Sequence, residues 1–310
     1  MMERVLITGA ERVLITGATG FLGSHLAERF VGNGVEVKAV VRSDLNNISH
    51  LKGQIEVIKR DIVRDLIPIR DTSTVFHLAA VSHVGRSIEN PRRTFETNTM
   101  GTFNMLESVR RSDSVEKFVF VSTAHVYGIP QYLPIDEEHP TFSREPYSAS
   151  KLAAEGFTLA YSKSYGIPVS IARLFNVFGP RQTHDFVVPD IIAQILEKDI
   201  ISLGNLKPTR DFTYVDDVIT GLLLMAQQGD GIYNVGSGRE VRIESLVQSI
   251  AKILGKRVDV VVKEVRKRSN GVEIERMWAD ISRLKSLGWQ PEIEFTEGLK
   301  KTVEWYKNNS

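Results

Sequence analysis

The sequence predicts an α/β protein with a doubly wound parallel sheet, followed by a smaller C-terminal α/β region. Three observations predict this fold. Short β-branched apolar runs alternate with longer helical stretches through the first half of the 310-residue chain. A glycine-rich turn joins the first such strand to the first such helix. After Asn176 the alternation gives way to segments rich in Gly, Pro and charge. Right-handed crossovers between parallel strands would place helices on both faces of the sheet.

Six strands are predicted in the first half, each a short run of β-branched and other apolar residues. They are Arg12–Thr16, Val35–Val41, Ile55–Asp61, Thr74–Ala80, Lys117–Thr123 and Val169–Phe175. The stretches between them, such as HLAERFVGN, TFNMLESVRRS and SASKLAAEGFTLAYSKS, have a helical pattern of apolar residues. This order of elements is typical of a sheet that binds ligands at the carboxyl ends of its strands.

The domain boundary is placed near Asn176. Residues 11–175 form the predicted nucleotide-binding domain, and residues 176–310 form mainly the substrate-binding domain. The segments FGPRQTHDF and LGNLKPTRDF are predicted loops. Later elements are a strand at Gly231–Val235 and helices near Ile243–Leu254 and Thr296–Lys307. Some of these segments are expected to return to the first domain.

Composition excludes several classes of protein. The net charge is +1 and 25% of residues are charged, which favours neither a nucleic-acid partner nor a membrane surface. There are 0 cysteines, so disulfides and thiolate metal sites are excluded, which fits a cytoplasmic protein. No apolar run approaches the roughly 20 residues that span a bilayer, and the N-terminus lacks a signal-peptide pattern. The seven histidines show no HxxxH spacing, so no metal is predicted.

The glycine-rich turn predicts a dinucleotide site. Gly17, Gly20 and Gly23 form a GxxGxxG pattern between a strand and a helix, with Thr19, Phe21 and Leu22 between them. Such glycines allow a tight turn and a close approach of backbone N–H groups to a pyrophosphate at a helix N-terminus. The first domain is therefore predicted to be a Rossmann domain that binds NAD.

The choice between NAD and NADP depends on the end of the second strand, which is Val41-Arg42-Ser43. NAD-binding proteins usually place an acid there, whereas Arg42 can pair with the 2′-phosphate of NADP. Alternatively, Arg42 stacks on the adenine or is only solvated. Asp61 and Ile62, after the third strand, are also predicted to contact the adenine.

Tyr147 and Lys151 form a YxxxK pair, which places both side chains on one face of a helix. A neighbouring cation favours the phenolate of a tyrosine whose ordinary pKa is about 10. Tyr147 is therefore predicted to take a proton from a sugar hydroxyl while a hydride leaves the same carbon for the nicotinamide. Thr123 ends the fifth strand, where it can hydrogen-bond the same oxygen.

Together these motifs resemble an extended short-chain dehydrogenase/reductase of the nucleotide-sugar epimerase/dehydratase family, similar to UDP-glucose 4-epimerases. The resembling segments run from TGATGFLGSHL through HLAAVSHVGRSIENP, NTMGT, FVSTAHVYG, PYSASK, RLFNVFGPRQ and RDFTYVDDV to ADISRLKSLGWQP. The resemblance implies tightly held NAD(P), a C-terminal domain for a nucleotide-diphosphate sugar, and a homodimer. The dimer would use a four-helix bundle built from about Pro91–Arg111 and Tyr147–Tyr165.

The resemblance also implies roles for single residues. Thr123, Tyr147 and Lys151 match the catalytic set. The implied cofactor contacts include Leu78, Ala79, Ala80, Asn98, Tyr147 and Lys151, and the implied substrate contacts are Ser82, His83, Thr123, Ala124, His125, Asn176, Val188, Arg210 and Arg268. Phe186–Pro189 would line the nucleobase pocket. Two arginines suit a diphosphate, but the segment around Arg268 departs from the family pattern, so Arg266 or Lys267 can take its place.

The residues directly after Thr123 bear on the reaction. Related 4,6-dehydratases carry an acid/base pair there, because elimination of water needs a base at C5 and a proton donor at C6. This chain has Ala124, which moves no proton, and His125, which is either a base or simply packed. A 4-epimerase needs neither group and is favoured. A dehydratase is second, an NADPH-dependent 4-keto-sugar reductase third, and a non-catalytic NAD(P)-binding sensor the alternative from another class.

The N-terminus contains ERVLITGA twice in succession, at residues 3–10 and 11–18. Only the second copy continues into the glycine turn, so it is predicted to be the cofactor-binding strand. The first copy would be a surplus extension from a duplication in the coding sequence; the alternative is an exposed strand or a tail against a partner subunit.

Deleting residues 3–10 should therefore leave NAD(P) binding intact, because the first strand of a doubly wound sheet already has neighbours on both sides. The measurement is the amount of dinucleotide that the shortened protein retains after gel filtration. Loss of the bound dinucleotide would assign the turn to the first copy instead.

Overall fold

The computed structural model describes residues 12–263 and 273–309. Its centre is a parallel sheet of seven strands, and smaller sheets lie outside it. The strands of the described residues are β1 Arg12–Thr16, β2 Glu36–Val41, β3 Glu56–Lys59, β4 Thr74–His77, β5 Lys117–Thr123, β6 Val169–Leu174, β7 Asn176–Phe178, β8 Ile200–Leu203, β9 Thr209–Arg210, β10 Phe212–Tyr214, β11 Gly231–Val235, β12 Val241–Arg242 and β13 Asp259–Val262. The order across the central sheet is β11-β6-β5-β4-β1-β2-β3. The predicted doubly wound α/β architecture is confirmed.

Helices pack on both faces of this sheet, and two buried apolar clusters fill the space between them. The helices are α1 Phe21–Gly32, α2 Val84–Glu89, α3 Pro91–Phe95, α4 Gly101–Arg110, α5 Pro146–Tyr165, α6 Val187–Glu197, α7 Val215–Gln228, α8 Ile243–Leu254, α9 Ser282–Lys285 and α10 Phe295–Asn309. A π-helical turn at Glu96–Met100 joins α3 to α4, so the predicted helix near 91–111 is one helical path with a local widening. Within the described part of the chain, no helix has the length and apolarity to cross a membrane.

Strand β1 lies between β2 and β4 and pairs with both in parallel. The second ERVLITGA copy forms β1. Because both edges of β1 are paired, no further strand can pair with it. The first copy lies outside the described residues. Strand β4 ends at His77, three residues earlier than predicted. One further bond to β1 follows, in which the Leu78 N–H donates to the Thr16 carbonyl at 3.2 Å.

Part of the C-terminal half of the chain belongs to the central sheet. Strand β11 pairs in parallel with β6 as an edge of the central sheet, as expected for segments that return to the first domain. Three two-stranded sheets, β7–β10, β8–β13 and β9–β12, lie outside it. The division of the chain near Asn176 stays a prediction. What matters for the site is that β1 to β6 are parallel, so all their carboxyl ends lie at one edge.

Candidate active site

A cleft of about 710 Å³ lies at the carboxyl ends of the central strands. Most residues predicted for the site line it. They are Gly17, Thr19, Gly20, Phe21, Leu22, Gly23, Arg42, Asp61, Ile62, Leu78, Ala79, Ala80, Ser82, His83, Thr123, Ala124, His125, Tyr147, Lys151, Asn176, Val188 and Arg210. Phe186 and Val187 of the predicted nucleobase segment line it as well. Arg268, with its alternatives Arg266 and Lys267, lies outside the described residues.

Asn98 differs from the prediction, because it lies behind the cleft wall. Its side chain is fully buried in the π-helical turn. The carboxamide accepts the N–H of Val81 at 2.7 Å and donates to the hydroxyl of Ser150 at 2.9 Å. Asn98 therefore ties the segment after β4 to α5 instead of facing the cleft.

The geometry of the glycine turn fits a pyrophosphate. Gly17 has φ +70°, and a Cβ there would lie 2.8 Å from the backbone nitrogen of Ala79. A Cβ on Gly23 would lie 2.2 Å from the carbonyl oxygen of Gly17. Helix α1 begins without a side-chain cap or an acid in its first turn, and its first residues line the cleft. Its uncapped N–H groups and positive dipole end therefore favour an anion at this end of the helix.

A buried histidine that sequence reasoning missed supports this turn. The Nδ1 atom of His77 lies 2.6 Å from the hydroxyl oxygen of Thr16, and its Nε2 atom lies 3.0 Å from that of Thr102. The Thr16 hydroxyl in turn accepts the N–H of Ala79 at 3.2 Å. Burial, and then the charge of Lys151, lower the pKa of His77 to about 3. A neutral imidazole therefore joins β1 to the helical layer directly behind the glycine turn.

Tyr147 is positioned by the start of α5. The carboxylate of Glu145 caps this helix, accepting the N–H of Tyr147 at 2.7 Å and that of Ser148 at 3.0 Å. The Thr123 hydroxyl, at the end of β5, accepts the N–H of His125 at 3.2 Å and interacts with the Tyr147 side chain. Burial raises the pKa of Tyr147 to about 12, an effect that the Thr123 contact opposes and the Glu145 charge reinforces.

Lys151 lies one helical turn later, on the same wall of the cleft. Its Nζ atom lies 4.0 Å from the centroid of the Phe120 ring, a cation–π contact. Burial lowers the pKa of Lys151 to about 7, and the charge of Glu155 opposes this. Desolvation of the phenol is the largest influence on the pKa of Tyr147 in the protein alone. The lowering of this pKa by Lys151 and oxidised nicotinamide stays a prediction.

Behind Lys151 lies a buried ion pair that sequence reasoning also missed. Glu155 and Arg173 are 2% and 4% exposed, with an Nη2–Oε2 distance of 2.7 Å. The Ser122 hydroxyl donates to the other oxygen of Glu155. The Arg173 guanidinium lies 4.7 Å from the centroid of the Tyr127 ring. The spacing YxxxKxxxE was the available signal, since it places Glu155 on the same face as Lys151.

The residues after Thr123 differ in what they present to the cleft. Ala124 is buried and has no polar side-chain atom. The His125 Nδ1 atom lies 3.8 Å from Glu145 Oε1, and its ring centroid is 6.2 Å from that of Tyr147. His125 is therefore a titratable group beside Tyr147. Glu145 is a weaker candidate for proton transfer, because its oxygens are engaged by the helix N–H groups and the Ser87 hydroxyl.

At the other end of the cleft, Arg210 lies in the short strand β9 and is 8% exposed. Its Nη2 atom is 3.2 Å from Glu273 Oε1, and its Nη1 atom donates to the carbonyl of Thr209 at 2.7 Å. Asn176 begins β7 on the same side. Both residues line the cleft.

The fold and this site define a dinucleotide-dependent enzyme with a tyrosine–lysine pair. A family model described as GDP-mannose 4,6 dehydratase matches residues 14–302. A putative UDP-glucose 4-epimerase of Methanocaldococcus jannaschii is 35% identical over 99% of both chains. An Arabidopsis thaliana trifunctional UDP-glucose 4,6-dehydratase/3,5-epimerase/reductase is 32% identical over 99% of this chain and 47% of its own length.

A solved structure is also similar to this chain over nearly its whole length. The UDP-glucuronic acid 4-epimerase of Bacillus cereus, in complex with UDP-glucuronic acid and NAD, has a TM-score of 0.89 and 29% identity. It covers 96% of this chain and 100% of its own. The chain belongs to the extended short-chain dehydrogenase/reductase family of nucleotide-sugar epimerases and dehydratases, and it is an enzyme.

Proposed function

We propose that this protein is a nucleotide-diphosphate sugar 4-epimerase that uses tightly bound NAD and acts on a UDP-sugar. The observation that carries the proposal is the convergence of Thr123, Tyr147 and Lys151 on one wall of the cleft, next to a residue, Ala124, that can move no proton. The relatives named for UDP-sugar 4-epimerization support the reaction and the nucleotide.

In this proposal Tyr147 removes the proton of the sugar C4 hydroxyl. Thr123, beside Tyr147, holds the same oxygen, and Lys151 carries the nearby positive charge. Bound NAD would supply the acceptor of the C4 hydride, the donor that returns it to the other face of C4 and, when oxidised, a positive ring that favours the phenolate. Arg210 and Asn176 hold the diphosphate while the 4-keto sugar turns, and Tyr147 then returns its proton to the C4 oxygen.

A 4,6-dehydratase is the second candidate, and His125 is the observation that favours it. Its imidazole lines the cleft beside Tyr147 and faces Glu145 at 3.8 Å. A histidine in such a position is able to act as the base that elimination requires. The family model named for a dehydratase is consistent with this second reaction.

Mass spectrometry of the product separates the candidates. With UDP-glucose, UDP-N-acetylglucosamine, UDP-glucuronate and GDP-mannose as substrates, we expect one to give an isomer of unchanged mass, because epimerization returns both hydrogens. Loss of one water would identify a dehydratase, and His125→Gln should then abolish it. Gain of two hydrogens from added NADPH would identify a reductase.

We also propose a homodimer that forms through α3, α4 and α5. Apolar side chains on this side of the molecule are exposed, namely Phe95, Met100, Phe157 and Tyr165. Contact with a second copy of the chain would remove these side chains from water. Light scattering should give twice the 34.8 kDa chain mass, and Phe157→Glu should shift the protein toward the monomer; a wild-type monomer would contradict the proposal. A cytoplasmic location stays a prediction.

A further inference from the structure

A buried carboxylate that the proposed reaction does not use lies directly beside one of the residues expected to hold the diphosphate. Asp211 follows Arg210 in the chain, between β9 and β10, and it is 0% exposed. Arg210 lines the cleft, whereas Asp211 does not. The Asp211 carboxylate therefore acts through the protein groups that it contacts.

This carboxylate accepts hydrogen bonds from two loops that are distant in the chain. Its Oδ1 atom accepts the backbone N–H and the hydroxyl of Ser237, each at 2.6 Å. Its Oδ2 atom accepts the N–H of Gly238 at 2.9 Å and that of Ala279 at 3.1 Å. Hydrogen bonds to an ionised group are stronger than those between neutral groups, so these four contacts form a firm junction.

The charge of Asp211 is compensated by these donors and not by a cation. Arg210, its neighbour in the chain, pairs with Glu273 instead. Burial raises the pKa of Asp211, and the hydrogen bonds from Ser237, Gly238 and Ala279 oppose this effect. Burying a carboxylate without a cation is costly. A role in filling space is therefore a poor explanation for an acid at this position.

The backbone of Asp211 leads to both residues expected to hold the diphosphate. Its carbonyl accepts the N–H of Asn176 at 2.9 Å, and its own N–H side is joined to Arg210 by a peptide bond. Strand β9, which carries Arg210, has two residues and pairs with β12. Such a short strand fixes its residues weakly by itself, so the junction at Asp211 matters for where Arg210 lies.

The other side of the junction is the central sheet. Ser237 lies two residues after β11, which pairs with β6. The N–H of Phe175 donates to the carbonyl of Val235 at 3.0 Å, so this pairing continues beyond β6 to the residue before Asn176. The Asp211 carboxylate thus connects the short outer strand β9 to the same two strands from which Asn176 emerges.

We propose that Asp211 is a positioning residue for the substrate diphosphate, because its carboxylate anchors the peptide between β9 and β10 to the end of β11 and so fixes Arg210 relative to Asn176. This inference rests on the proposed function, in which Arg210 and Asn176 hold the diphosphate. The competing explanation is that Asp211 only supports the fold, in which case its loss lowers stability without a specific effect on phosphate binding.

The test compares UDP with uridine, which lacks both phosphates. Calorimetry on the full-length protein loaded with dinucleotide gives the Kd of UDP, and competition against UDP gives that of uridine. Asp211→Asn keeps the size of the side chain but turns an NH₂ group toward N–H donors. We expect the Kd of UDP to rise about tenfold or more, the usual effect of losing a hydrogen bond to a charged group, and the Kd of uridine to change little.

Kinetics give a second measurement. With the nucleotide-sugar identified by mass spectrometry, Asp211→Asn should raise KM and leave kcat nearly unchanged, because the diphosphate is held equally in the ground state and the transition state. Retention of the dinucleotide should be unchanged, since the glycine turn lies on β1 and α1. In an Arg210→Ala background, Asp211→Asn should weaken UDP binding by a smaller factor than in the unaltered protein.

Asp217→Asn is the matched control. Asp217 is a second buried carboxylate, on α7, and it accepts the N–H groups of Glu292 and Ile293 at 3.0 Å each. It does not line the cleft. Asp217→Asn should lower Tm and leave the Kd of UDP unchanged. Ser237→Ala removes one of the four contacts and keeps the backbone N–H, so it supplies a milder test if Asp211→Asn does not fold.

Two results would overturn the inference. One is an unchanged Kd of UDP in folded Asp211→Asn, or in Ser237→Ala where Asp211→Asn does not fold. The other is an equal loss of affinity for UDP and uridine, which is expected of a residue that only supports the fold. Failure of the unaltered protein to bind UDP would instead contradict the proposed function, and the inference with it.

Discussion

Replacing Tyr147 with phenylalanine should lower kcat by about 10²–10⁴-fold, the usual contribution of a positioned acid/base group. Tyr147→Phe removes one oxygen from a buried position and leaves the ring in place. The capping bonds from Glu145 involve the backbone N–H groups of residues 147 and 148, so the start of α5 should be unchanged. Dinucleotide retention should also be unchanged.

A matched control exists on the same helix. The Tyr161 hydroxyl donates to Glu107 at 2.7 Å, and Tyr161 does not line the cleft. Tyr161→Phe should therefore retain nearly full kcat, while losing a single hydrogen bond worth about 1 kcal/mol. The measurement is the steady-state rate on the substrate identified by mass spectrometry. Full activity in Tyr147→Phe would show that Tyr147 is not the base.

The second large effect is expected at the buried ion pair behind Lys151. Glu155→Gln should lower the free energy of unfolding by about 3–5 kcal/mol, because it leaves the Arg173 charge buried without its partner. Urea unfolding measures this loss. Glu297→Gln is the control, since Glu297 forms an exposed pair with Lys301 at 2.9 Å. Loss of such a pair costs at most about 1 kcal/mol.

Glu155→Gln should also change the pH dependence of the reaction. The charge of Glu155 raises the pKa of Lys151 against the effect of burial. Without it, Lys151 loses its proton at a lower pH. The reaction as proposed needs the charged lysine, so the alkaline limb of the kcat profile should move to lower pH.

A double variant separates the two roles of Glu155. Glu155→Gln combined with Arg173→Met removes both charges, so much of the lost stability should return. The shift of the alkaline limb should remain, because the carboxylate that favours the Lys151 cation is still missing. If the limb returned to its wild-type position, Glu155 would be a structural residue with no influence on Lys151.

Local sequence determined a large part of the site. The glycine turn and the YxxxK pair need residues close in the chain, because a turn and one helical face are local structures. Strands β1 and β5 match their predicted bounds, and most predicted site residues line one cleft. Local pattern also predicted a helix for the tyrosine–lysine pair, and that helix is α5.

The features that sequence reasoning missed depend on contacts between distant segments. Glu155 lies on α5, whereas its partners Ser122 and Arg173 lie on β5 and β6. Asn98 was expected at the cofactor but is turned toward Ser150, 52 residues later. In the sequence, His77 is a single histidine in an apolar strand. Only the folded sheet places it next to Thr16 and Thr102. Periodicity carries no information about such partners.

By itself, the sequence determined the fold class, the glycine turn, the tyrosine–lysine pair and the family, because all of these are encoded in short motifs and in the order of elements. Only the tertiary structure decided that β11 completes the central sheet. It also decided that burial is the largest influence on the pKa of Tyr147. Strand register and desolvation depend on how the whole chain packs, and no local segment specifies either.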